Sequence, residues 1–215
     1  MKKLILILSL TITACGAPRA APDTTVLEQK IAQALYRFDA ALLDEAQSEL
    51  TAEPNTPALV YFEGFAAYAR ANLAYSTDDK KILRAELEKA DASLARMKEQ
   101  PWKAEAFALR GQIAGHLIGV RGGSGAMSLG PKMMTFTSEA YESAPESGRV
   151  LTAHGVTLLN TPEMFGGDPD EALRLFQRAA TALADEITKS SPLHWGRANA
   201  LYWLAQAQLK KEEVS

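Results

Sequence analysis

Cysteine is nearly absent from this 215-residue chain, Cys15 being the single one. One thiol closes no disulfide within the chain and excludes the Cys-rich zinc frameworks, so stability must come from packed apolar surface. A basic excess is lacking too. The 23 Lys and Arg stand against 26 Asp and Glu, a formal charge of −3, which leaves no electrostatic footprint for phosphate backbones and argues against a nucleic-acid partner. No apolar run reaches the roughly 20 residues of a membrane span. Sustained period-2 alternation is missing as well, which argues against half-buried strands. What remains is ordinary globular composition, 47% hydrophobic and 23% charged, enough for one compact body.

The N-terminus carries a pattern of its own. Lys2 and Lys3 precede Leu4 to Ile12, apolar apart from Ser9 and Thr11, which is the length of a signal-peptide core. The run closes on Ile12-Thr13-Ala14-Cys15-Gly16, with a branched apolar residue three before the cysteine and small residues around the cut. This pattern resembles the lipobox of bacterial lipoproteins. The resemblance implies that Cys15 receives a diacylglyceryl group, that cleavage makes it the new N-terminus, and that its amine can carry a further chain such as palmitate. Each buried methylene adds about 0.8 kcal/mol, so two or three acyl chains anchor stably where one does not. Residues 1–14 are then the leader, 15–25 the lipidated cysteine and a Pro-interrupted tether, and 26–215 the folded body. Gly16 follows the cysteine where an acidic residue would resemble an inner-membrane retention signal, so the periplasmic face of an outer membrane is expected. Loss of Lys2 and Lys3 with the leader lowers the 23 basic residues to 21 and the net charge to −5. Membrane contact is therefore expected through the lipid alone, since a negative body does not cling to anionic lipid.

From Val26 onward apolar residues recur at helical spacing, and Ala-rich runs such as Phe65 to Ala71 and Ala104 to Leu109 combine helix propensity with small side chains. Pro54, Pro57, Pro101, Pro145, Pro192 and the loops expected at 121–131 and 161–169 cut the chain into segments. The expected helices are 25–37, 39–53, 57–75, 78–98, 102–120, 131–144, 147–160, 168–188 and 194–211.

The breakers keep a register: Pro54, Pro101 and Pro145 each precede a glycine by ten residues, namely Gly64, Gly111 and Gly155. The stretch Ala104-Glu105-Ala106-Phe107-Ala108-Leu109-Arg110-Gly111 resembles the first helix of a tetratricopeptide repeat. Ala198 to Ala205 and Gly148 to Gly155 follow the same pattern. Ala172, Phe176 and Ala179 resemble its second helix, and Ala90, Leu94 and Met97 do so more weakly. The resemblance implies an all-α, tetratricopeptide-like (TPR-like) α-solenoid of about four antiparallel helix pairs, stacked into one core with a curved face. Positions 64, 111, 155 and 205 lie 44 to 50 residues apart, against about 34 in that family, so the repeats are longer than usual and HEAT-like spacing stays open. Leu159-Asn160-Thr161-Pro162-Glu163-Met164-Phe165-Gly166-Gly167-Asp168 is similar to a loop of bacterial tetratricopeptide lipoproteins, among them the periplasmic T-components of TRAP-type transport systems. Asp168 as a helix N-cap, with Pro169 and Glu171 after it, explains the same residues structurally.

Catalytic constellations are hard to find. Gly125 to Lys132 has the glycine spacing of a P-loop, but Pro131 intervenes, Met133 replaces the hydroxyl residue, and no strand precedes it. Arg121 to Gly125 can place backbone N–H groups around an anion, or be a plain connection. His116, His154 and His194 have no second ligand one helical turn away, so no metal site is expected and His154 reads as a satisfied interior histidine. No serine occupies a Gly-x-Ser-x-Gly elbow, and Glu105, Glu139 and Glu163 have no visible acid–base partners.

Carrying the inner-face positions of tetratricopeptide repeats onto this sequence gives Tyr61, Phe65 and Tyr68, then Glu105, Gln112 and His116. The next units contribute Arg149, Thr152 and Val156, then Asn199, Tyr202 and Gln206. These residues suit a protein or peptide partner or a partly apolar small ligand. The reading is a non-enzymatic binding or assembly module of the cell envelope, with no cofactor beyond the lipid on Cys15. The alternative is a periplasmic small-ligand carrier or an accessory subunit of a TRAP-type system.

Overall fold

The computed structural model describes residues 23–50, 56–186 and 193–214. Cys15 and most of the tether lie outside them, as do 51–55 and 187–192. Nine α-helices form among the described residues: α1 (Thr24–Arg37), α2 (Ala40–Leu50), α3 (Pro57–Ser76), α4 (Lys80–Leu94), α5 (Trp102–Arg121), α6 (Gly123–Ser143), α7 (Gly148–Asn160), α8 (Pro169–Glu186) and α9 (Arg197–Val214). A 3₁₀ turn spans Glu163–Phe165. The fold is all-α, with no strand among these residues.

Several helices begin where a short polar side chain takes an orphan amide. Asp39, Thr56, Asp79, Ser147 and Asp168 accept the N–H groups of Leu42, Leu59, Ile82, Val150 and Glu171, the usual reason for such residues at an N-cap. Successive helices then pair, α1 with α2, α3 with α4, α5 with α6 and α7 with α8. The odd-numbered helices form one continuous row, and each even-numbered helix packs on the two odd-numbered helices that flank it in the order without touching another even-numbered one. That is the arrangement of a stacked helical array. Helix α3 is surrounded by α1, α2, α4 and α5, which is why Phe65, Ala66, Ala67, Ala69 and Ala71 are buried on every side of it.

The glycine register has a packing cause. A Cβ on Gly64 would stand 2.5 Å from Leu94 of α4, one on Gly111 2.3 Å from Thr137 of α6, and one on Gly155 2.7 Å from the Phe176 ring of α8. Each glycine marks the crossing point of its pair, where the facing side chain enters the space a Cβ would need. Ala205 holds the fourth marker position but is exposed, because no helix among the described residues pairs beyond α9. In the 161–168 loop, Gly166 adopts φ +92° and a Cβ on Gly167 would meet the Thr161 carbonyl oxygen at 1.8 Å. Backbone geometry thus accounts for this loop.

Two expectations fail here. The 121–131 stretch is helical: α6 begins at Gly123 and runs through Pro131, because close packing on α5 outweighs poor helix propensity. Gly125 is buried, and a Cβ there would lie 2.8 Å from that of Arg121. The anion-cradling loop is therefore absent, and Arg121 pairs with Glu88 at 2.7 Å. The last helix also starts late, at Arg197, after Gly196 with φ +106°.

Packing of this kind is sensitive to one carbon atom. Gly155→Ala is expected to lower unfolding free energy by about 1–3 kcal/mol through overpacking. Gly119→Ala, where a Cβ meets nothing within 4 Å, is expected to raise it by about 0.5–1 kcal/mol through helix propensity. Urea unfolding followed by far-UV circular dichroism reads both signs.

Candidate functional site

The inner face is built by side chains from α1, α3, α5 and α7, and it is curved. At 8–10 Å per helix spacing, α1 and α7 would stand roughly 24–30 Å apart in a flat row. Yet Trp195 donates its N–H to Glu28 of α1 at 3.0 Å and accepts at its carbonyl from Arg149 of α7 at 3.0 Å. One residue bridges both helices only if the row bends around it.

Residues Leu193, His194, Trp195 and Gly196 sit inside that bend. The buried Glu28 carboxylate accepts the N–H groups of His194 and Trp195 and lies 3.3 Å from the His194 ring nitrogen. Tyr36 accepts the Gly196 N–H at 3.2 Å. The Trp195 ring stacks on Phe65 with centroids 4.2 Å apart. Arg149 is 5% exposed and held on two sides, by Glu105 at 3.0 Å and by Glu186 at 2.7 Å. Burial pulls its pKa down, but the two carboxylates outweigh that and hold it above the ordinary arginine value. Ser147 donates to Glu105 at 2.6 Å, completing the network. The Tyr61 hydroxyl and the Trp195 indole N–H are both buried without a hydrogen bond of good geometry. Burial pushes the Tyr61 pKa well above the usual phenol value.

Beyond this segment the same face carries a buried tyrosine flanked by half-buried and exposed side chains. Tyr68 of α3 places its hydroxyl 3.3 Å from the Gln112 amide oxygen and 3.3 Å from His116 Nε2, both on α5. Asn72 donates to the Tyr68 carbonyl at 2.9 Å. Tyr75 lies edge-on to His116 with centroids 6.3 Å apart and is 67% exposed, and Tyr36 is 43% exposed. Burial pushes the Tyr68 phenol up to about 12 and pulls the His116 imidazole down. Near neutral pH, both are uncharged hydrogen-bonding groups on an aromatic shelf.

The expected groove residues therefore divide. Tyr61, Phe65, Tyr68, Glu105, Arg149 and Thr152 are buried rather than lining open surface: the chain's own segment covers Tyr61, Phe65 and Arg149, Tyr68 sits against Gln112 and His116, Glu105 is tied to Arg149, and Thr152 bonds back to the Gly148 carbonyl of its own helix. Tyr68, Gln112 and His116 come together. Val156 packs partly buried against the α7–α8–α9 core. Asn199, Tyr202 and Gln206 lie on α9, half-buried or exposed, and no described contact joins them to the shelf. His154 stacks on Tyr141 at 4.9 Å, but its buried Nδ1 is unpartnered, so it is not the fully satisfied histidine expected.

Sequence reasoning missed Glu28, Tyr36, Asn72, Tyr75, Glu186, His194 and Trp195. Tyr75 and Asn72 continue the Tyr61–Phe65–Tyr68 stripe and were open to the same spacing argument. Glu28 was not, since its role depends on a contact 167 residues away.

No protein-family model and no curated protein matches the chain. Among solved structures it is similar to the HusA haemophore from Porphyromonas gingivalis, with a TM-score of 0.64 and 22% identity over 91% of this chain and 96% of that one. At that identity the likeness speaks for the fold.

The ion network sets a measurable asymmetry. Arg149→Met is expected to cost about 3–5 kcal/mol, because Glu105 and Glu186 are left buried without their cation. Arg174→Met, which removes a solvent-exposed pair with Glu171, is expected to leave the unfolding midpoint nearly unchanged, because water screens the pair. Chemical denaturation of the two variants tests the difference.

Proposed function

We propose that this chain is a non-enzymatic binding module of the cell envelope, tethered through lipid on Cys15, whose ligand site is a shelf of exposed Tyr36 and Tyr75 over half-buried Asn72, Gln112 and His116, with the buried Tyr68 hydroxyl beneath them. The observation that carries the reading is the filling of the deep part of the inner face by Leu193–Gly196, beyond which Tyr36 and Tyr75 stay exposed among the described residues. From Tyr68 to Tyr75 is seven residues, or about 10 Å along the helix. That length suits a flat, partly apolar ring system and only about three residues of extended peptide. Tyrosine faces supply contact area, and the amides and neutral imidazole supply hydrogen bonds. The likeness to a haemophore supports a small-ligand carrier and makes a tetrapyrrole the first probe. The loop ending Gly166-Gly167-Asp168 lends no support to a TRAP-type role, since turn geometry and N-capping account for it.

A peptide-binding reading is favoured by one specific feature, the chain's own segment seated among Glu28, Phe65 and Arg149.

Haemin titration followed by Soret absorbance tests the shelf. Saturable micromolar binding that weakens tenfold or more in His116→Ala and Tyr75→Ala is expected, and affinity equal in all three proteins sinks the reading. For the anchor, Cys15→Ser is expected to move the protein from the membrane to the soluble fraction and to remove the acyl mass. Unchanged membrane retention counts against lipidation.

A further inference from the structure

The Leu193–Gly196 segment is held in a manner unlike the rest of the core. Elsewhere helices bury apolar stripes, and their backbone groups are satisfied within the helix. Here three consecutive residues, His194, Trp195 and Gly196, give their N–H groups to side chains of a distant helix instead. Glu28 takes two successive N–H groups, Tyr36 takes a third, and Arg149 donates to the carbonyl between them. Side chains that read an extended backbone, together with a pocket for one aromatic ring, are the ingredients of peptide recognition. The aromatic pocket is present as well: Trp195 lies on Phe65, beside Tyr61.

One cradle charge is oriented independently of the occupant. Arg149 is fixed by Glu105 and Glu186, so its grip on a carbonyl needs no rearrangement when the occupant changes. The Trp195 indole N–H and the Tyr61 hydroxyl face each other in the aromatic pocket without a hydrogen bond of good geometry, so the pocket is not closely matched to the polar edge of this occupant.

We infer that Glu28, Tyr36, Phe65 and Arg149 form a peptide-recognition site that the chain occupies in cis with Leu193–Gly196, and that an extended segment of a partner protein, of the pattern apolar, polar, aromatic, glycine, takes the same place in trans. This inference rests on the peptide reading above and adds to it the sequence class and the self-occupancy. None of the residues that grip the backbone except Tyr36 belongs to the shelf. A tethered segment competes at an effective concentration of the order of millimolar, so the native protein holds the site closed against weak partners.

The test uses the full chain and a labelled acetyl-Leu-His-Trp-Gly-amide peptide, read by fluorescence anisotropy against native protein and against Leu193→Ser/Trp195→Gly, whose cradle is emptied. Expected is saturable binding to the emptied variant, at least tenfold weaker binding to the native protein, and loss of binding when Phe65→Ala is added. Equal binding to both proteins overturns self-occupancy while leaving a peptide site elsewhere. Binding to neither, with helicity retained, overturns the peptide reading as well. Should the emptied variant fail to fold, native-state hydrogen exchange decides: the His194, Trp195 and Gly196 amides are expected to exchange at least tenfold faster than buried amides of α3 and α7. Exchange of all of them together, only through global unfolding, overturns the inference.

Discussion

The arrangement turns on one desolvated cation. Arg149 sits between Glu105 and Glu186 and spends its remaining donor capacity on the Trp195 carbonyl. A guanidinium offers five donors in a planar fork, which is why arginine rather than lysine can serve two carboxylates and a backbone oxygen at once. Burying three charges is costly, and their mutual attraction repays that cost only because every member is also hydrogen-bonded. Through this group α5, α7, the end of α8 and the approach to α9 share one fixed geometry. The curvature of the inner face depends on it.

The helical framework was largely legible in the sequence because it rests on local rules. Capping residues, prolines and 3.6-residue periodicity set most boundaries close to those found, and the glycine register located three helix crossings before any contact was known. Where the reading failed, tertiary packing outweighed propensity. The Gly-rich start of α6 reads as a loop, yet it lies against α5 so closely that a side chain at Gly125 would not fit. Pro131 then becomes a tolerated interruption instead of a stop.

The site was half legible. The inner-face positions carried over from tetratricopeptide repeats put Tyr68, Gln112 and His116 on a common face, and they meet. The same positions could not reveal that Tyr61, Phe65 and Arg149 would be covered by Leu193 and Trp195, because helical periodicity reports which way a side chain points and not what arrives from the far end of the chain. Leu193-His194-Trp195 carries an apolar, polar, apolar pattern that reads equally as a helix start. Gly196 at positive φ decides it only in three dimensions.

A stack of helix pairs whose members touch only their neighbours behaves as an open spring, able to flex along its length and to fray from either end. Here a contact spanning 167 positions fastens the first helix to the segment before the last, while Arg149 fastens the middle of the stack to that same segment. The fastener converts the spring into a ring-like body. Strain or disorder at one terminus is felt at the other, and opening of the stack must proceed through release of the His194–Gly196 segment rather than by gradual peeling.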